Sequence, residues 1–318
     1  MKKFLLCLLG AALCLQFVGC TEAPAESAGT VSADRVGLCL RQQADAPEYY
    51  DAILSGLQAA GYDVTAQDAK NDQSMQDAQV ESLLRDDCQL LIVEPVMVTA
   101  LETVVEAAKA KNVPLLLIDR EPAREVLDSY DRLYFAGCQI SEVGAAQAQL
   151  LQQLPLQGDL NEDGVVSYMV LRGPEDHMDA QAITDGCLQA LASYTTEQIG
   201  ITATQWELAA ARADCAGMLA QYGRDIEVIL CNHAVLAQGA VEAVENRGWI
   251  PGQDVYILAV DNNDSLQMLI DKGAVFGTVA ADVQQRVRQI LELSGKLILE
   301  NWPDKCTYAP YVSVTAKP

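Results

Sequence analysis

Residues 158–180 read "GDLNEDGVVSYMVLRGPEDHMDA", and they hold a loop, a strand and the start of a helix in succession. In the loop, Asp159, Asn161 and Asp163 stand at alternate positions and Gly164 follows. Side-chain oxygens at that spacing ahead of a turn glycine are how a calcium loop begins, with the Val165 backbone carbonyl and the Ser167 hydroxyl next in line. The twelfth position, where such a loop needs a bidentate Glu, is Val170. The stretch is therefore either a solvated acidic turn or a metal loop completed from elsewhere in the chain. The apolar run "VVSYMVLRG" reads as a buried strand, and helical spacing begins at about His177.

Strand followed by helix is also the rule on either side of this stretch. "RVGLCL" from Arg35 precedes the helical pattern "PEYYDAILSGLQAAGY", and "QLLIVE", "NVPLLLID" and "RLYFAG" each follow an amphipathic stretch. Beyond it come "IEVILC", "AVLAQGAVEAVENRG" and "VYILAVD", then a helix from Asp282 to about Glu300. Short, continuously apolar strands alternating with helices indicate α/β architecture with parallel sheets covered on both faces. More than ten strands is too many for one such sheet, so two similar, doubly wound lobes are expected. Ligands of open parallel sheets sit at the carboxyl ends of strands. The polar residues there are Asp119 and Arg120, His177 and Asp179, Asn232 and His233, and Asp261. Any one of them alone would read as a turn or helix cap.

The amino terminus is a separate unit. Lys2 and Lys3, an apolar run from Phe4 to Phe17 and Val18-Gly19-Cys20 form a secretory signal over residues 1–20, too short for a membrane span. A cysteine directly after a small residue resembles a bacterial lipobox, which would make Cys20 the lipidated first residue. Residues 21–34, rich in Ala, Ser, Thr and Glu, read as a tether. The protein is then exported and held to the outer face of the cytoplasmic membrane, or left in a periplasm. A formal charge of −23 repels nucleic acid and anionic headgroups, so attachment rests on the lipid alone. Cys39, Cys88, Cys138, Cys187, Cys215, Cys231 and Cys306 lie mostly in apolar runs without CxxC spacing. They read as small buried hydrophobes rather than disulfides or zinc ligands.

Catalysis finds little support. There is no GxSxG, no HExxH and no Gly-rich phosphate loop after the first strand, and the histidines are two, His177 and His233. Carboxylates, Arg, His and Asn suit binding of a neutral polyhydroxylated ligand. Trp206, in the polar stretch "TATQWELAA", could stack on a sugar ring, with Tyr49 opposite.

"NDQS" (71–74), "REPAREVLDSYDRLYFAG" (120–137), the opening stretch and "IEVILCN" (226–232) together resemble the bacterial galactose/glucose-binding proteins. These are type I solute-binding components of sugar ABC importers, and the resemblance runs from Arg35 to about Val314. It implies two lobes joined by three crossovers, residues 35–137 plus 282–308 and residues 138–281 plus 309–318, with a monosaccharide between them. It also implies delivery to an ABC permease by a monomeric binding protein. By position, His177 and Asp179 match sugar hydrogen-bonding residues, Trp206 the stacking tryptophan and Asp261 a carboxylate ligand. Asp119 falls where the family has Asn, and Asp119-Arg120 also looks like the pair used by ribose-binding proteins. Asp45 and Tyr49 match first-lobe ligands only loosely.

Glu227 matches the remote glutamate that closes the calcium loop, giving a structural site of Asp159, Asn161, Asp163, Val165, Ser167 and Glu227. Ile183, His233, Ala234 and Ala281 replace expected polar residues, so another monosaccharide, a deoxy or modified sugar or something less polar is expected, with galactose or glucose the alternative if the cleft is rewired. A sensory role, presenting ligand to a chemoreceptor or sensor kinase, is the alternative to transport. A transcription regulator is excluded by the leader, the acidic charge and the lack of a helix-turn-helix ahead of Arg35.

Overall fold

The computed structural model describes residues 33–316. The signal segment, Cys20 and nearly all of the tether lie outside the described residues. The first half runs β1 (Arg35–Leu40), α1 (Pro47–Ala59), β2 (Asp63–Asp68), α2 (Gln73–Arg85) and β3 (Leu90–Val93). It continues with α3 (Glu102–Ala110), β4 (Leu115–Asp119), α4 (Arg124–Asp128) and β5 (Leu133–Gly137). The second half runs α5 (Ile140–Leu151), β6 (Val166–Arg172), α6 (Met178–Leu191), β7 (Thr196–Ala203) and α7 (Leu208–Tyr222). It continues with β8 (Val228–Cys231), α8 (Ala234–Asn246), β9 (Tyr256–Val260), α9 (Asp264–Asp271) and β10 (Gly277–Ala281). The closing elements are α10 (Val283–Ile298), β11 (Cys306–Tyr308) and β12 (Tyr311–Thr315).

These strands form two six-stranded sheets of the same winding, β2-β1-β3-β4-β5-β11 and β7-β6-β8-β9-β10-β12. Alternation along each central strand explains why helices cover both faces. In the first sheet Leu91, Val93, Leu115 and Leu117 pack beneath α2 and α3, while Leu90, Ile92, Leu116 and Ile118 pack beneath α1 and α10. In the second, Met169, Leu171 and Ile229 face α7 and α8, and Tyr168, Val170 and Leu230 face α5 and α6. The chain passes between the sheets after β5, after β10 and between β11 and β12. Although α10 follows the second sheet, it returns Ile290, Leu293 and Leu297 to the first core.

One strand departs from the expected parallel arrangement. β12 runs antiparallel to β10. It is entered straight from the carboxyl end of β11 across Ala309 and Pro310, and so leaves the inter-lobe region in the direction opposite to its neighbours. Of the seven cysteines among the described residues, five are buried and Cys138 and Cys306 are half-buried, all as free thiols. Burial pushes Cys187 and Cys215 up to about 12, which keeps them unreactive as expected of core thiols. Among the described residues no helix is long and apolar enough to cross a membrane.

Candidate ligand site between the lobes

At the carboxyl ends of β6, β8, β9 and β10 the second lobe forms a cavity of about 530 Å³. His177, Asp179, Trp206, His233 and Asp261 all line it, as do Ile183, Asn232, Ala281 and Tyr311. Five of the predicted ligand residues thus share one cavity. Both histidines are helix N-caps: Ala180 N donates to His177 Nδ1 at 3.4 Å, and Val235 N donates to His233 Nδ1 at 3.2 Å. Capping through Nδ1 leaves each Nε2 for the cavity. Trp206 stands between them, edge to face with His177 at 5.5 Å and tilted against His233 at 5.2 Å. The space for its indole exists because residue 173 is glycine; a Cβ there would meet the ring at 2.0 Å.

His233 Nε2 lies 3.6 Å from Asp261 Oδ2. Burial lowers the imidazole below its ordinary value, opposed by the Asp261 carboxylate. Asp261 ends its strand in the left-handed region at φ 65°, and Asp119 does the same in the first lobe at φ 66°. Aspartate tolerates that conformation, so the two lobes turn their chains at equivalent places.

The first-lobe residues are arranged differently. Asp119 and Arg120 line a second cavity, of about 1080 Å³, which also reaches His177 and Asp179 and so lies between the lobes. Tyr49 donates its hydroxyl to Asp119 at 2.8 Å, and Arg286 of α10 donates Nε to the same oxygen at 3.1 Å. The Arg286 guanidinium lies 4.3 Å above the Tyr49 ring. Burial works against its charge, but Asp119 and Tyr49 more than restore it, so Arg286 titrates above its ordinary value. Arg120 donates to the backbone carbonyls of Pro95 and Val96.

Two expectations are corrected. Tyr49 is 5 % exposed and packed beneath Arg286, so it is not the ring opposite Trp206. Asp45 lines neither cavity and is instead paired with Arg41 and Gln42. Sequence reasoning missed Tyr311, which lines both cavities, and the first-lobe polar residues Arg41, Glu94 and Arg286, which line neither. Glu94, 4 % exposed, accepts from Tyr50 at 2.7 Å and from Arg41 N at 3.1 Å. It closes the apolar run "QLLIVE" and was findable by the strand-end rule. Burial, and then Asp119, push its carboxyl up. Nothing in the sequence points to Arg286, which reaches its partner from a distant helix.

The acidic loop and Glu227 come together. Glu227 is 1 % exposed, and its carboxylate accepts from Asn161 N at 3.0 Å and Ser167 N at 2.7 Å. Asp159 accepts from Asp163 N and Gly164 N, Asn161 from Asp163 N, and Asp163 from Val165 N. Gly164 has φ 90°, the turn that position requires. The donors are all oxygen, which fits a hard cation such as calcium. Among the described residues no three His, Cys, Asp or Glu side chains are gathered for a metal; the loop carboxylates are turned to their own backbone.

Residues 43–301 match the model of the periplasmic binding protein domain family. The chain belongs to this family. The relatives it matches are binding proteins of transport systems, not enzymes. This binding protein is 30% identical over 269 residues to the D-galactose/methyl-galactoside binding periplasmic protein MglB of Haemophilus influenzae, covering 80% of each chain. It is 26% identical over 245 residues to the ribose import binding protein RbsB of Bacillus subtilis, covering 76% of this chain and 70% of that one. Among solved structures it is similar to an ABC transporter periplasmic solute binding protein from Actinobacillus succinogenes with bound D-allose. The TM-score there is 0.73 at 19% identity, covering 89% of this chain and 97% of that one. The likeness supports the two-lobe fold assigned above to this binding protein.

Proposed function

We propose that this protein captures a monosaccharide or close derivative between its lobes and delivers it to an ABC import permease. The observation that carries the reading is the convergence of strand-end residues. His177, Asp179, Trp206, His233 and Asp261 line one cavity, and Asp119 and Arg120 face two of them across the inter-lobe space. Trp206 offers a flat apolar face, while the histidine Nε2 groups and the carboxylates offer donors and acceptors to ring hydroxyls. Rotation of the lobes about their crossing segments would bring Asp119 and Arg120 toward the second-lobe set and exclude water. The relatives named for galactose and ribose support a sugar in this place.

Ile183 and Ala281 in the lining argue against a fully hydroxylated hexose in the orientation the resemblance implies. Each hydroxyl buried without a partner costs about 1–3 kcal/mol. Asp159, Asn161, Asp163, Val165, Ser167 and Glu227 would hold calcium, whose charge would fasten the loop to the base of β8. Cys20 would carry the lipid that holds the protein at the outer face of the cytoplasmic membrane. A thermal-shift screen of monosaccharides, with and without calcium, tests the reading. Stabilisation by at least one sugar is expected from ligand linkage, and a flat response across the panel would refute it.

A further inference from the structure

Deepening that reading, and resting on it, we propose that the ligand is cationic. It would be an amino sugar or aminocyclitol whose ammonium group lies against Asp261 and Asp179. Among the described residues no Lys or Arg lines the second-lobe cavity, whereas both of these carboxylates do. The histidines cannot balance them while they cap their helices, because an Nδ1 that accepts an N–H must be unprotonated and the ring neutral. Among the described residues the cavity therefore holds two carboxylates with no cation of its own.

An independent observation lies deeper. Asn232 is 2 % exposed and lines the same cavity. Its amide donates to Ala180 O and Thr184 Oγ1, but its Oδ1 has no partner. A buried, unpaired acceptor calls for a donor, and an ammonium group offers three with no acceptor.

The inter-lobe space carries the same sign. Among the described residues every Asp, Glu, Lys or Arg lining it is acidic except Arg120, and Glu102, Glu106, Glu121, Glu125 and Asp176 are among them. Arg120 is occupied by two carbonyls, and Asp119 is neutralised by Arg286. A cleft lined by one sign concentrates ligands of the other. Trp206 adds an aromatic face on which a cation is favoured.

The test is calorimetric titration at pH 7 and low salt with matched sets. D-galactosamine, D-glucosamine and D-mannosamine are each compared with the parent hexose and the neutral N-acetyl derivative, and scyllo-inosamine is compared with scyllo-inositol. At least one amine is expected to bind about tenfold or more tightly than its neutral counterparts, the size of one charge-assisted contact. Asp261→Asn, which keeps a residue tolerant of the left-handed backbone, should move that ratio toward one. Neutral sugars binding as tightly as their amines would overturn the charge assignment and leave the monosaccharide reading standing. No binding by any member of the panel would overturn both.

Discussion

Replacing Glu227 by Gln separates two roles that the structure assigns to one carboxylate. Its two oxygens accept N–H groups from Asn161 and Ser167, at a site 1 % exposed. Glutamine keeps one acceptor but turns an NH2 group toward the other N–H, so two donors face each other in a buried place. Losing one charge-assisted bond and leaving an N–H unpaired costs about 2–3 kcal/mol, with or without metal. For a folded unit of this size that is a fall in Tm of roughly 3–5 °C in chelator. Calcium bound only by the native form adds about 2.7 kcal/mol at a hundredfold excess over Kd, and the variant should forfeit most of this gain. Scanning calorimetry of both proteins, in chelator and in calcium, reads both effects. A variant with the wild-type calcium shift would refute the ligand role, and a variant melting like wild type in chelator would refute the hydrogen-bond argument.

Gly173→Ala should displace the Trp206 indole, because its Cβ falls 2.0 Å from the ring. Loss of sugar-dependent stabilisation with an unchanged far-UV spectrum is expected. Arg286→Met leaves the Asp119 carboxylate, with 11% of its side chain exposed, supported by Tyr49 alone, at about 3 kcal/mol in urea unfolding; adding Asp119→Asn should recover most of it. Because burial lowers His233 below 6.5, its contribution to stability is full above pH 6.5 and is lost as pH falls through the lowered value. His233→Asn, which still caps α8, should flatten that part of the stability–pH curve.

The central strands were legible because burial on both faces leaves runs such as "PLLLI" with no polar alternative. The edge strands were not. No residue of β2 ("DVTAQD") or β7 ("TEQIGITA") is buried, so their sequences carry no apolar run, and the polar stretch before Trp206 in fact begins as a strand. The second-lobe site was readable for a related reason: Asp261 and His233 stand one and two residues beyond β9 and β8, and His177 caps the helix that follows β6. In the first lobe the same rule found Asp119 and passed over Glu94. It could not find Arg286, whose position depends on the return of α10 across the lobes. Tyr49 shows the converse failure: an aromatic residue of α1 suggests a stacking face opposite Trp206, whereas its buried ring lies beneath the Arg286 guanidinium. The remote match of Glu227 to the loop was legible as chemistry, because a carboxylate at the start of a buried strand needs partners.

Capture between two lobes is tested most directly by small-angle X-ray scattering on the calcium-supplemented protein, alone and with each monosaccharide and amino sugar at saturation. A fall in radius of gyration with at least one of them, absent in Gly173→Ala, is the predicted result. An unchanged radius with every member of the panel would contradict the account.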